Sequence, residues 1–187
     1  MSRTRPTSPA LAFAALALGV LGCADTPGDA SRFAGPMELP VFAQNAAGDH
    51  FMAAPLKGDT EVPANDSKGS GVAQFQLSED GTSLHYKLVV THTENVTQSH
   101  IHIAPEGVNG PVVVFLYGFN AAGTSDDGLL AEGTITQANL IARPAIGFTA
   151  TMPELVAAMR SGNAYVNVHT IQLPPGEIRD QIREAGN

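Results

Sequence analysis

The side chains best placed to do chemistry are three histidines in two short segments. Ser99-His100-Ile101-His102-Ile103 sets two imidazoles two residues apart, and Tyr165-Val166-Asn167-Val168-His169-Thr170 supplies a third far downstream. On an extended strand alternate side chains point to opposite faces, so His100 and His102 share one face and Ile101 and Ile103 take the other. Neutral imidazole is the commonest transition-metal ligand, and a His-x-His pair can grip one ion. A third ring from a neighbouring strand would complete a three-nitrogen set with an open position, an arrangement suited to catalytic zinc or to copper. Copper is the first expectation, with zinc, iron or a haem as the others, because spacing alone does not choose among them. The same alternation puts Tyr165 and Asn167 on the face of His169. There Asn167 is placed to orient a ligand by a hydrogen bond and Tyr165 to line the pocket. The competing reading makes the three histidines structural, bonded to backbone or carboxylates inside a polar pocket.

The remaining candidates are weaker. His85 and His92 read as solvated strand histidines, although His92 is near enough in sequence to be a fourth ligand, and His50 reads as exposed. Glu177 and Arg179 alternate onto one strand face and are expected to form a structural ion pair. No nucleophile-elbow pattern surrounds any serine, and no phosphate-binding loop or dinucleotide fingerprint is present. The single cysteine, Cys23, excludes both an intramolecular disulfide and a cysteine-based metal site.

The elements that must position these residues are mostly short strands. Gly69 to Leu77 and Ser83 to Thr93 alternate apolar and polar residues about the turn Ser78-Glu79-Asp80-Gly81-Thr82, which predicts a hairpin. His50 to Leu56 is a first strand. Val96 to Ile103 and Pro111 to Gly118 flank the turn Pro105-Glu106-Gly107-Val108-Asn109-Gly110. Leu129 to Ile135 is a further short strand, and Gln137 to Leu140 a connector. Thr151 to Gly162 is the one clear helix: Thr151 caps it, Pro153 fits the first turn, Glu154 suits the positive end and Gly162 stops it. Ala164 to His169 and Glu177 to Ile182 close the chain around Pro174-Pro175-Gly176. The sum predicts a mainly β domain, an antiparallel β-sandwich or partly closed Greek-key barrel with one short helix.

The 187 residues are 43% hydrophobic and 15% charged, a balance that suits a packed core rather than a disordered chain. A formal charge of −8 argues against a nucleic-acid groove, which needs a basic footprint. Residues 1–22 read as a leader, with Arg3 and Arg5 ahead of an apolar run too short to span a bilayer. The run ends in Val20-Leu21-Gly22-Cys23, which resembles the bacterial lipobox, with Val20 where leucine is usual. That resemblance implies cleavage before Cys23, its lipidation, and anchoring of the mature protein to a membrane. Residues 23–37 read as a flexible tether and 38–187 as the domain. The expected location is the bacterial cell envelope, extracytoplasmic, on an outer membrane or cell surface, with an envelope protein as a further partner.

Four motifs in order resemble the CHRD domain: His100-Ile101-His102, Gly107-Val108-Asn109-Gly110-Pro111-Val112-Val113, Tyr165 to Thr170, and Pro175-Gly176-Glu177-Ile178-Arg179. The resemblance spans about Phe51 to Arg183. It implies a β-rich extracellular domain of the kind found in chordin and, often alone, in secreted or anchored bacterial proteins. Asp180 departs from it, standing where glycine usually follows Glu-Ile-Arg. Three functions remain open from the sequence. The first is a lipid-anchored domain binding a transition metal through His100, His102 and His169. The second is a redox metalloenzyme similar to copper/zinc superoxide dismutase, which shares only the His-x-His strand and a β-sandwich. The third is a metal-free adhesion or protein-binding module.

Overall fold

A computed structural model describes residues 49–125 and 127–186. The leader, Cys23 and the tether lie outside the described residues. Nine strands form one sheet: β1 (His50–Lys57), β2 (Ser70–Leu77), β3 (Ser83–Thr91), β4 (Val96–Ile103), β5 (Val112–Tyr117), β6 (Gly128–Thr136), β7 (Ala164–Thr170), β8 (Ile178–Gln181) and β9 (Arg183–Glu184). Their order is β5-β4-β7-β8-β1-β2-β3-β6, with β9 against β1, and every pairing is antiparallel. The two outermost strands, β5 and β6, come back against each other. Beside that seam the Tyr86 hydroxyl of β3 donates to the Leu116 carbonyl of β5 at 2.7 Å. The result is a nearly closed barrel, as the strand pattern predicts.

Alternation decides what faces inward. Ala73, Phe75 and Leu77 on β2 meet Leu84, Leu88 and Val90 on β3, and all six are buried in one core. Ile101, Val166, Val168 and Ile178 continue that inner face across β4, β7 and β8. In β1 the pairing with β2 slips between Ala53 and Leu56, where Pro55 has no N–H to offer the ladder. The helix α1 (Met152–Arg160) has the predicted start, with Thr151 and Glu154 capping each other reciprocally. Its buried stripe of Met152, Leu155, Val156 and Met159 joins the core. At its far end Arg160 bridges Asp49 and Glu184, tying the helix to the start of β1 and to β9. Gln137–Asn139 and Pro144–Ile146 are single 3₁₀ turns. Asp180 sits in regular pairing opposite Val166, so the side chain that departs from the family pattern costs the strand no geometry.

Candidate metal centre

The antiparallel register of β4 and β7 sets His100 opposite Asn167, His102 opposite Tyr165 and Gln98 opposite His169. Partners across a ladder share a face, so His169 lies diagonal to His100 on the side opposite Ile101 and Val166. The histidine face is therefore the outer face of the barrel. β8 extends it by pairing Asn167 with Arg179 and Tyr165 with Gln181. All three histidines are nonetheless buried: the β4–β5 loop closes over His102, the β7–β8 loop over His169 and the Phe115 side chain of β5 over His100, with the β1–β2 loop fastened to both loops.

These loops are bolted to one another by side chains. From the β1–β2 loop, Asn65 Nδ2 donates to the carbonyls of Gly176 and Glu177 at 3.2 and 3.1 Å. From the β4–β5 loop, Asn109 Nδ2 donates to the Val62 carbonyl at 2.8 Å. Arg179 donates to Asn109 Oδ1 at 3.0 Å and to the Val108 carbonyl at 2.7 Å, and its own carbonyl accepts from the Thr60 hydroxyl. The approach is close enough to require glycine. A Cβ on Gly110 would stand 2.0 Å from the Ile103 carbonyl oxygen. One on Gly176 would strike the Glu61 carboxylate at 2.4 Å.

The rings themselves are arranged by backbone carbonyls. His102 Nδ1 lies 2.8 Å from the Gly110 oxygen, and His169 Nδ1 lies 2.8 Å from the Pro174 oxygen. A carbonyl accepts only, so in each neutral ring Nδ1 carries the hydrogen and Nε2 the lone pair. His100 Nδ1 then donates to His169 Nε2 at 3.1 Å, and the Asn167 side-chain amide lies 3.1 Å from that same nitrogen, to which only its NH2 end can donate. The buried Nε2 atoms of His100 and His102 complete no hydrogen bond of good geometry, although the Asn167 side chain lies close enough to His102 to favour its protonated form. One ligand atom from each of the three rings lies within 4.8 Å of the others. Arg179 stands 3.5 Å over the Tyr165 ring, and that ring stacks on His102 at 4.7 Å with 8° between planes. A guanidinium, a phenol and an imidazole thus form one column that fixes His102 from below.

Burial keeps these rings neutral. It pushes His100 down to about 3, helped by the charges that His169 and His102 would carry. It pushes His102 down to about 4, against the hydrogen bonds to Gly110 and Asn167, and it lowers His169 as well. Three uncharged imidazoles, each with a ligand nitrogen within 4.8 Å of the others, suit a cation better than charged rings would.

The structure brings His100, His102, His169, Asn167 and Tyr165 together. It gives both histidine readings part of their due: Nδ1 of His102 and of His169 bonds backbone, while Nε2 of His100 and of His102 is left over. His92 is exposed in the loop after β3, and Asp127 accepts from its backbone N–H at 2.7 Å, so it stays outside the cluster. His85 is exposed on β3 beside Thr134. His50 is half-buried in β1 rather than exposed, since that strand is covered by β9.

Glu177 and Arg179 do not form the expected ion pair. Glu177 precedes β8 and accepts from the Ser67 hydroxyl at 2.6 Å, while Arg179 is held by the β4–β5 loop. The carboxylate that feels Arg179 is Glu61, a residue sequence reasoning missed. Its burial pushes the carboxyl up to about 7 in spite of Arg179. A carboxyl whose pKa is higher folded than unfolded binds its proton more tightly in the native state. Its contribution is greatest below about pH 4.5 and is lost as pH rises to about 7. Glu61→Gln is therefore expected to raise stability at pH 8 by up to about 3 kcal/mol and to change it little at pH 4. Urea unfolding of both proteins at the two pH values measures this, and an equal difference at both would contradict it.

A family model described as the CHRD domain matches residues 52–182. No curated protein matches the sequence.

Proposed function

The chain belongs to the CHRD domain family, and from that premise we propose that it binds one transition-metal ion through His100, His102 and His169. The observation that supports this is the pair of buried, unpartnered Nε2 atoms beside a third imidazole that is also neutral. A buried acceptor without a donor costs about 1–3 kcal/mol, so two together are a lasting penalty that a bound cation removes. The hydrogen bonds from Nδ1 of His102 and His169 to carbonyls are the usual support for a metal-bound imidazole, since they fix the tautomer and raise ligand basicity. An all-imidazole set favours copper over zinc and iron in intrinsic affinity. A haem would need the rings to part, because their centroids are 4.9, 5.5 and 6.5 Å from one another.

Tag-free protein, washed with chelator and reloaded, is expected to hold one copper ion per chain. Copper no more tightly bound than by a His-x-His peptide would rule the reading out. The second reading, a redox enzyme of superoxide dismutase type, is favoured by the count of three side-chain nitrogens, which leaves one position for a small ligand. Superoxide consumption by loaded protein, above that of equimolar free copper, would establish it.

We propose further that Cys23 is lipidated and holds the domain on the outer face of a bacterial membrane. The leader and lipobox-like sequence support this. Membrane fractionation of the wild type, abolished in Cys23→Ser, is the expected result.

A further inference from the structure

We infer that small ligands reach the histidine cluster past the Phe115 side chain, which serves as its removable cover. The inference concerns the entrance to the site just proposed, and rests on the metal reading for what would pass through.

The covers over the three rings differ in kind. His102 is closed in by the β4–β5 loop, whose Gly110 carbonyl it bonds, and by the Tyr165–Arg179 column. His169 is closed in by the β7–β8 loop, whose Pro174 carbonyl it bonds, and Asn65 fastens that loop to the β1–β2 loop. Moving either cover breaks several hydrogen bonds together. His100 has no such lid. Its cross-strand partner on β5 is Phe115, whose ring meets it edge to face at 4.5 Å and 89°.

Phe115 is itself 48% exposed, whereas its chain neighbours Val114 and Leu116 are in the core. Pairing between β4 and β5 is irregular on both sides of His100, with register shifts at Ser99/His100 and at Ile101/His102. Yet the imidazole behind Phe115 is only 3% exposed and its Nε2 is sealed from water. A half-exposed side chain changes rotamer in picoseconds to nanoseconds, while a hydrogen-bonded loop must open locally. The phenyl ring is thus the cheapest cover to move. What it admits is limited to a ligand about the size of the ring it displaces: water, azide, cyanide or free imidazole.

The test is the rate of acylation of each histidine by diethyl pyrocarbonate, read by tandem mass spectrometry on metal-free protein, with exposed His85 as internal standard. In the wild type His100 is expected to react slowly. In Phe115→Ala it should react faster by an order of magnitude or more, with His85 unchanged. Phe115→Leu, should the alanine variant not fold, is expected to give a smaller acceleration of the same site. An unchanged His100 rate in a folded variant overturns the inference. On copper-loaded protein, extraction by a chelator should accelerate in the same order. The two failures are separable. A wild type that holds no copper removes the metal reading and leaves the acylation result standing. Tight copper with His100 equally slow in every variant removes the entrance alone.

Discussion

His100→Leu is expected to abolish tight copper binding while leaving the metal-free protein as stable as the wild type or up to about 2 kcal/mol more stable. The two effects have one cause. His100 supplies a lone pair to the cluster, and without it two imidazoles remain, too few for a closed hold on one ion. The loss should far exceed the roughly 10–100-fold cost of removing a supporting hydrogen-bond partner, such as Asn167 in Asn167→Ala. In the metal-free state the same ring is a liability, because its buried Nε2 has no partner. Leucine removes that orphan and sits between Phe115 and the sheet in a setting that accepts apolar atoms. It loses the 3.1 Å contact with His169 and the ring contacts with Phe115 and His102, and it replaces the latter two with aliphatic packing. A purely structural histidine predicts the reverse: stability falls by 1 kcal/mol or more, at about the worth of a hydrogen bond, with no change in metal content. Chemical denaturation with and without copper separates the two.

Arg179→Ala carries the largest expected loss of stability, about 3–5 kcal/mol. The side chain is 2% exposed, and its guanidinium holds three things at once. It bonds Asn109 and Val108 in the β4–β5 loop, lies on the Tyr165 ring, and is the cation that Glu61 feels. Truncation releases the exposed β4–β5 loop from its two hydrogen bonds, leaves the Tyr165 ring uncovered and strips the buried Glu61 carboxyl of its compensating charge. Arg179→Lys should recover little, since an ammonium cannot span both acceptors and stack on the phenol. Because the column ends on His102, both variants should also weaken copper binding in whatever fraction folds. Thermal unfolding and copper titration measure the two effects. Loss of less than 1 kcal/mol in the alanine variant would contradict this role.

The parts of this protein legible in sequence are those governed by local periodicity. Strict alternation in Gly69–Leu77 and Ser83–Thr93 is a two-residue period with one buried face, and it fixes the hairpin. Thr151, Pro153, Glu154 and Gly162 fix the helix because capping is chemistry within one turn. The same alternation puts His100 with His102, and Tyr165 with Asn167 and His169. That the two sets meet needs the β4–β7 register, which lies in tertiary structure.

Glu61 was not legible. It sits in an irregular loop, and the side chain that matters to it, Arg179, is far away in the chain. Glu177 looked like the partner of Arg179 because it is two residues away, yet it precedes β8 and turns to Ser67. Phe115 was equally hidden. It reads as one more apolar residue of β5 until its cross-strand partner is known to be His100.

X-ray absorption of the copper-loaded protein tests the central claim most directly, since it counts the ligands of the ion itself. The structure leads us to expect three imidazole nitrogens at about 2.0 Å, and in His100→Leu and His169→Leu only weakly held copper, with fewer imidazoles on whatever ion remains. A spectrum fitted by one or two imidazoles, or one unchanged by either substitution, would show that the ion binds elsewhere and that the three rings serve the fold alone.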